Sequence, residues 1–569
     1  MLKLIKPIKN KIPFIILIIL FLIIQAYCNL TLPSYTANIV NIGIQNGDVD
    51  YITDIGMRML LMVGISVIAA LFTSFFTSRV ASGYAKDLRK TVYKKILKFS
   101  NHELNKISRS SLITRTTNDI NQIQNIISMI FTTFLFAPIL GIGGIMKAFE
   151  LKTDLSWIIL LTFIIVAALL FIIMKEVTPY FKITQEILDK MNRSAREILI
   201  GIPVIKAFVR QKTEQEKFDN VNRDFVDVNL HVYRTIFILM PSMTLVLNLM
   251  IVLILYFGAY EALSSSLLTG DIIAFIQYST QIVTAFIMMG GFLIMLPRII
   301  VSGRRIEEVL DTEITITDGN LTHIDDKPTL EFRNVSYKYP GSEKETLKDI
   351  NFKLKPGKTT AIIGGTGSGK STIINLIPRL QDPTSGEILI DNNNIKEYNL
   401  KTLRKEISFT PQKAILFQGT IKSNMLTGKN DASDSEIENA LKMAEVDFVD
   451  SLDDEVSQEA MNFSGGQKQR LSIARSIIGH HSFYLFDDCF SALDMNTEAK
   501  VKHNLSELSK DSSILMVSQR ISTIKDADEI LVMENGEIVD RGTHDELNEH
   551  CEVYHEIVTS QIDHMEVDL

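Results

Sequence analysis

The sequence predicts a multidomain chain of two unlike parts: an all-α transmembrane domain of six helices, then an α/β domain of the phosphate-loop class. Three observations carry that expectation. Ahead of Leu310 lie six uncharged apolar stretches, each near the roughly 20 residues that cross a bilayer as a helix. Hydropathy falls sharply after Leu310. Beyond that point the run Gly364-Gly365-Thr366-Gly367-Ser368-Gly369-Lys370-Ser371-Thr372 satisfies G-x-x-x-x-G-K-[ST], directly after the apolar strand Thr360-Ala361-Ile362-Ile363.

The six stretches are Pro13 to Leu32, Ile55 or Met59 to Ser78, Ile126 to Met146, Leu155 to Met174, Thr235 to Tyr260, and Ile272 to Leu296. One such run could be a buried core helix; six in succession argue for a membrane. The first is too long for a signal-peptide core, and no small-residue cleavage site follows it before Gln45. Lys3, Lys6, Lys9 and Lys11 precede it, which places the N-terminus in the cytoplasm. The first connection holds Asp48, Asp50 and Asp54 without Lys or Arg and reads as external. The second opens with Lys86, Arg89, Lys90, Lys94, Lys95 and Lys98 and reads as internal. An even number of spans then returns the second domain to the cytoplasmic side of a multi-pass plasma-membrane protein.

Between spans two and three, and four and five, the helical period does not stop at the membrane. Tyr84 to Phe99 and Ile183 to Val209 continue as amphipathic helix, with Gly and Pro sparse outside Gly201-Ile202-Pro203. The transmembrane domain is therefore 1–311. A polar linker, 312–328, holds Gly319, Asn320 and Asp325-Asp326. Strands such as Leu330-Glu331-Phe332 and Ile388-Leu389-Ile390 alternate with helices across 329–559, and 560–569 reads as a frayed tail.

A net charge of −8 argues against nucleic acid as a main partner. Cys28, Cys489 and Cys551 form neither a disulfide framework nor a metal pattern.

The glycine run is the chemical centre. Glycines let a backbone curl around anionic oxygens so that several N–H groups point at phosphate. The following helix adds the positive end of its dipole. Lys370 suits the β- and γ-phosphates, and the Ser371 hydroxyl suits Mg²⁺. The chain is expected to bind a nucleoside triphosphate.

Further motifs follow in order. Pro411-Gln412 leads into Leu416-Phe417-Gln418-Gly419-Thr420-Ile421. Phe463-Ser464-Gly465-Gly466-Gln467 opens a helix, and Phe483-Tyr484-Leu485-Phe486-Asp487-Asp488 is an apolar strand ending in acids. Ser491-Ala492-Leu493-Asp494 and Val517-Ser518-Gln519-Arg520 come after it. This set resembles the ATP-binding-cassette (ABC) ATPases. Arg115 to Ile120, Glu197 to Phe208 and Arg305 to Asp311 resemble the membrane half of that family's exporters.

The resemblance implies roles. ATP and Mg²⁺ are the cofactors. Tyr339 stacks on adenine, with Tyr337 as the alternative, and the phosphate loop Gly364 to Thr372 holds the phosphates. Ser371, Asp487 and Gln412 form the Mg²⁺ shell. Ser464, Gly465, Gly466 and Gln467 serve nucleotide bound by an opposite subunit, and Asp494 is a further nucleotide-binding residue. Gln412, Asp488 and Gln519 make the catalytic set. The loop tips near Ser110 to Thr116 and Ile200 to Phe208 are coupling helices resting on cassettes.

Two positions depart from the family. Asp488 stands where glutamate polarises the attacking water, and is one methylene shorter. Gln519 stands where a histidine is usual; it can donate a hydrogen bond but cannot carry positive charge. With the remaining binding groups kept, this resembles the degenerate-site subunit of bacterial heterodimeric multidrug exporters. The partner expected is a second half-transporter, a heterodimer, with a homodimer as the alternative. Gln25, Asn29, Gln122, Gln124, Asn248, Gln277, Tyr278 and Gln281 are the polar residues open to a pathway. Met240, Met243, Met250, Met288, Met289 and Met295 suit a small hydrophobic substrate. A lipid, peptide or porphyrin exporter and an ATP-gated protein that is no pump are the rival readings; fusion after six spans argues against an importer.

Overall fold

The computed structural model describes residues 11–151, 155–263 and 267–567, without the side chains of 181–182, 293–298 and 562–567. Lys3, Lys6 and Lys9, the Met295 side chain and the end of the tail lie outside the described residues. The chain divides into two compact units. One is Met1–Leu97 with Arg109–Thr312, the other Lys98–Ser108 with Glu313–Leu569.

The described part of the first unit is helices joined by short turns. Among the described residues six helices are long and apolar enough to cross a membrane: Ile12–Ile44, Val49–Ile96, Arg109–Glu150, Ser156–Ala207, Gln211–Leu263 and Thr269–Phe292. Lipid replaces water as solvent for their outer faces, so Leu60, Leu61, Val67 and Leu71 are exposed without cost. The helical period does run on. Ser156–Ala207 has 52 residues, about 78 Å at the α-helical rise, against a hydrocarbon core of about 30 Å.

Polar side chains in this unit tie helix to helix. The Tyr278 hydroxyl donates to the Leu30 carbonyl at 3.0 Å and pairs with the Ser34 hydroxyl at 2.7 Å. The Gln281 amide donates to the Asn29 carbonyl at 3.2 Å, and the Ser66 hydroxyl donates to Asn29 Oδ1 at 3.0 Å. Tyr278 and Asn29, read from sequence as pathway groups, thus spend their polar atoms holding spans one, two and six together. Lower down, buried Arg115 pairs with Glu308 at 2.8 Å and donates to the Arg305 carbonyl at 2.7 Å.

The first loop departs from expectation. Ser110 to Thr116 stays with the membrane helices, and Lys98–Ser108 is the stretch that belongs to the second unit. The reason is local. Ser100 starts a new helix, Asn101–Lys106, through a reciprocal capping box with Glu103. That cap follows the end of the long helix at Ile96, within about three residues of the Phe99 that periodicity suggests.

The second unit is α/β. Its strands are β1 (Leu330–Tyr337), β2 (Leu347–Leu354), β3 (Thr359–Gly364), β4 (Ser385–Ile390), β5 (Asn393–Asn394) and β6 (Ile407–Thr410). There follow β7 (Gly419–Thr420), β8 (Glu455–Val456), β9 (Phe483–Asp487), β10 (Ser513–Val517), β11 (Glu529–Glu534) and β12 (Glu537–Gly542). The central sheet has order β12-β11-β3-β10-β9-β6, parallel except for β12. An antiparallel sheet, β2-β1-β4-β5, lies beside it.

Strand alternation decides what covers each face. From β9, Phe483 and Leu485 join one core with β1, β2, β4 and Ile373, Ile374 and Leu376 of the helix after the phosphate loop. Tyr484 and Phe486 point the other way, into a second core with Leu471, Ile473 and Ala474 of the helix that Ser464 opens. In β10, Leu515 and Val517 face the first core, and Ile514 and Met516 the second. The phosphate loop and the S-G-G-Q motif of one chain are therefore served from opposite faces of one sheet.

Candidate nucleotide site

At the end of β3 the chain leaves the sheet at Gly364, where an added Cβ would lie 2.1 Å from the Met533 carbonyl oxygen. Only glycine fits such an approach. Gly369 closes the loop at φ +101°, where a Cβ would meet Leu347 at 2.6 Å. The helix Lys370–Leu376 begins there. Lys370 lays its ammonium across the loop, donating to the carbonyls of Gly364 at 2.8 Å and Gly365 at 2.7 Å and to the Ser368 hydroxyl at 3.3 Å. Burial lowers its pKa, against the pull of Asp488 and Asp487 in the other direction.

β9 brings Asp487 to the loop, where it accepts from the Ser371 hydroxyl at 3.0 Å. Burial raises the Asp487 pKa; the Ser371 bond and Lys370 oppose that, and Asp488 reinforces it. A hydroxyl and a carboxylate side by side are the hard oxygen donors that Mg²⁺ takes alongside phosphate. Asp488 is buried with a left-handed backbone, φ +46°. Its Oδ2 accepts from Gln412 Nε2 at 3.1 Å, and Gln469 Nε2 donates to the Gln412 carbonyl.

Tyr337 is buried in the first core, and its hydroxyl donates to Gln381 at 3.2 Å, so its ring has no free face for a base. Tyr339 is 37% exposed and anchored by its hydroxyl, 3.2 Å from that of Thr372. The two rings meet edge to face at 4.9 Å, which fixes the outer one.

Ser464 and Gln467 cap their helix reciprocally: the Gln467 amide oxygen accepts from Ser464 N–H at 2.9 Å, and Ser464 Oγ from Gln467 N–H at 3.3 Å. A Cβ at Gly465 would meet open space. Asp494 caps the helix Met495–Leu505 by accepting from Thr497 N–H at 3.0 Å, which lowers its pKa.

Gln519 is exposed just past β10, and among the described residues its side-chain amide makes no hydrogen bond. The structure thus pairs Ser371 with Asp487 and Gln412 with Asp488, sets Lys370 across the phosphate loop, and holds Ser464 to Gln467 on the opposite face. Sequence reasoning missed Gln469, and also Arg520. Arg520 donates to the Ser491 carbonyl at 2.8 Å and lies 3.7 Å from Glu498. Only proximity in the folded chain reveals either.

Residues 15–286 match the family described as ABC transporter transmembrane region, and residues 347–491 the family described as ABC transporter. An uncharacterized ABC transporter ATP-binding protein of Mycobacterium tuberculosis is 36% identical over 554 residues, covering 95% of this chain and 94% of that one. The chain belongs to the ABC transporter family. A Bacillus subtilis ABC transporter ATP-binding protein, also uncharacterized, is 36% identical, with 93% of each chain covered. A putative multidrug export ATP-binding/permease protein of Staphylococcus aureus is 31% identical, with 87% of this chain and 86% of that one covered. The structure of a bacterial Atm1-family ABC exporter with ATP bound superposes with a TM-score of 0.81, covering 97% of this chain and 98% of that one at 22% identity, a likeness of fold.

This ABC protein is an ATP-binding, ATP-hydrolysing transporter, with one membrane domain fused to one cassette and the fold of an exporter. It is a multi-pass plasma-membrane protein with a cytoplasmic cassette, of a class that acts as dimers.

Proposed function

We propose that the chain is one half of an ATP-driven exporter of hydrophobic or amphipathic compounds, multidrug in type, whose own nucleotide site holds ATP and hydrolyses it slowly. One observation carries the reading. A complete phosphate loop and a complete S-G-G-Q helix start lie on opposite faces of one sheet, in a chain with six spans. Each motif then needs a second cassette to complete it.

Lys370 and the loop N–H groups hold the phosphates, Tyr339 covers the adenine, and Gln519 hydrogen-bonds the γ-phosphate. Ser371, Asp487 and Gln412 would hold Mg²⁺, which when bound draws charge from the β- and γ-phosphates. Slow hydrolysis is supported by Asp488, which is short for a base and is already bonded to Gln412 Nε2. Gln519 supplies no positive charge.

A partner half is supported by the tip of the second long loop, where Leu199, Ile200, Val204, Phe208 and Val209 are all exposed in the single chain. A heterodimer follows from the asymmetric site, the partner supplying glutamate and histidine. The uncharged spans support a neutral or cationic substrate, since nothing in them pairs a buried anion cheaply. The name of the S. aureus relative points the same way.

Inside-out vesicles carrying this chain and its gene neighbour test the reading. ATP should drive a lipophilic cationic dye into the vesicle lumen, the external side of the cell membrane. Movement only toward the cytoplasmic side would reject export, and stimulation of ATPase by polyanions alone would reject the substrate class.

A further inference from the structure

The helix Glu552–Val567 closes the second unit, and its residue Gln561 reaches the switch loop after β10. Gln561 Nε2 donates to the Gln519 carbonyl at 2.7 Å, and Gln561 Oε1 accepts from Ile521 N–H at 2.9 Å. One side-chain amide thus spans the loop, with a bond on each side of Arg520. A primary amide offers the same donor and acceptor pair as a backbone peptide, so it replaces strand pairing where β10 has ended.

The helix has little freedom to move. Tyr554 and Val558 lie seven and three residues before Gln561 on the same helical face. They are buried with Ile363, Ile530 and Val532 beneath the central sheet. Tyr554 is fixed again by its hydroxyl, 2.8 Å from His544 Nδ1. The position of Gln561 is therefore set by the core, and Gln561 joins the bond from Ser518 N–H to the Ile362 carbonyl, 3.2 Å, in holding the backbone at Gln519. The reading of 560–569 as a frayed tail overlooks this link.

We infer that Gln561 is a positioning residue for nucleotide binding: it holds the switch-loop backbone so that the Gln519 side chain meets the γ-phosphate of ATP bound in the same chain. The inference rests on the proposed γ-phosphate contact of Gln519. Its signature is selective. On that reading Gln519 contacts the third phosphate, so loss of its positioning weakens binding of a triphosphate and spares a diphosphate. General damage to the cassette would weaken both.

The full chain purified in detergent without its partner presents one class of phosphate loop. Affinities for AMP-PNP and ADP would be measured by competition with a fluorescent nucleotide. Gln561→Leu removes both bonds, and Gln561→Glu keeps length and polarity but lacks the N–H and sets a negative charge against the Gln519 carbonyl. Each should weaken AMP-PNP about 3- to 10-fold, the scale of one or two neutral hydrogen bonds, and leave ADP unchanged. In a Gln519→Leu background neither should have any further effect. Three results overturn the inference. Equal loss of AMP-PNP and ADP would make Gln561 merely structural. An effect of Gln519→Leu without one from Gln561→Leu and Gln561→Glu would sink the inference alone. No effect of Gln519→Leu would sink the γ-phosphate reading and the inference with it.

Discussion

On the proposed reading, Asp488 and Gly465 serve different nucleotides although they sit in one cassette. The Asp488 carboxylate is buried and bonded to Gln412, and it lies by the chain's own phosphate loop. Gly465 starts a helix on the other face of the sheet and looks into open space. Asp488→Asn keeps an amide oxygen to accept from Gln412, and if this site is the slow one the pair's turnover should fall by no more than about threefold, well short of the 10²–10⁴-fold that a working general base contributes. Gly465→Asp leaves this chain's packing alone but sets an anion where the partner's γ-phosphate should come. At about 4 Å two like charges repel by about 1–4 kcal/mol in surroundings between water and a protein surface, so turnover should fall at least about fivefold. Steady-state ATPase of the purified pair measures both. A loss from Asp488→Asn as large as that from Gly465→Asp would make this chain's site a principal catalytic one.

The helix Asn101–Lys106 shows how an element of the first loop is held to the cassette. Glu103 is almost fully buried, at 1% exposure. Its Oε2 accepts from Ser100 N–H and Oγ at 2.6 Å each, and its Oε1 from Thr315 N–H at 3.2 Å and Oγ1 at 2.7 Å. Asn101 N–H donates to the Leu380 carbonyl at 3.3 Å. Burial alone would raise the Glu103 pKa, but the bonds from Ser100 and Thr315 together outweigh it and hold it below the usual 4.5. Its stabilisation is complete above that free value and is lost as pH falls through the lowered one. Glu103→Gln turns an N–H₂ toward donors and should cost about 2 kcal/mol locally. Hydrogen exchange of residues 98–108 and 313–317 should then quicken about 30-fold at neutral pH, with the gap to the unaltered chain closing in acid. Equal exchange at neutral pH would show that the carboxylate carries nothing. This element also marks what the sequence could disclose. The phosphate loop, the S-G-G-Q start and the acid-ended strand are contiguous runs whose local backbone sets their chemistry, and six spans need only length and apolarity. Ser100 and Glu103 fit the S-x-x-E cap and could have been found the same way. The Glu103–Thr315 tie joins residues 212 apart and the Gln561–Gln519 tie residues 42 apart; no local pattern encodes either. Burial likewise separates Tyr337 from Tyr339, which the strand pattern left equivalent.

At the scale of the whole molecule, the proposed reading gives one chain two half-sites on opposite faces of one sheet, neither of which closes within the chain. Leu485 and Val517 point toward the core under the phosphate loop, while Phe486 and Met516 point toward the core under the S-G-G-Q helix. Bringing those two motifs together within one chain would mean passing one of them through a fully buried parallel sheet. A second cassette does it by facing the first. What that second cassette is depends on chemistry already present. In a homodimer both sites would be built on Asp488 and Gln519, and neither would have a full-length base or a switch cation. Since general base catalysis contributes about 10²–10⁴-fold, a homodimer should turn over ATP at least about tenfold more slowly than a pair whose partner supplies glutamate and histidine. If this chain's site is the slow one, bound ATP remains useful there, because it favours the closed cassettes over the open ones for as long as it stays. The comparison is direct: the chain expressed alone, and the chain co-expressed with its gene neighbour, assayed at equal cassette concentration with a lipophilic cation present. The pair should co-purify, and its ATPase should exceed that of the chain alone by about tenfold or more. Equal activity from the chain alone would mean that Asp488 is base enough at its present position, and would make the homodimer the working form.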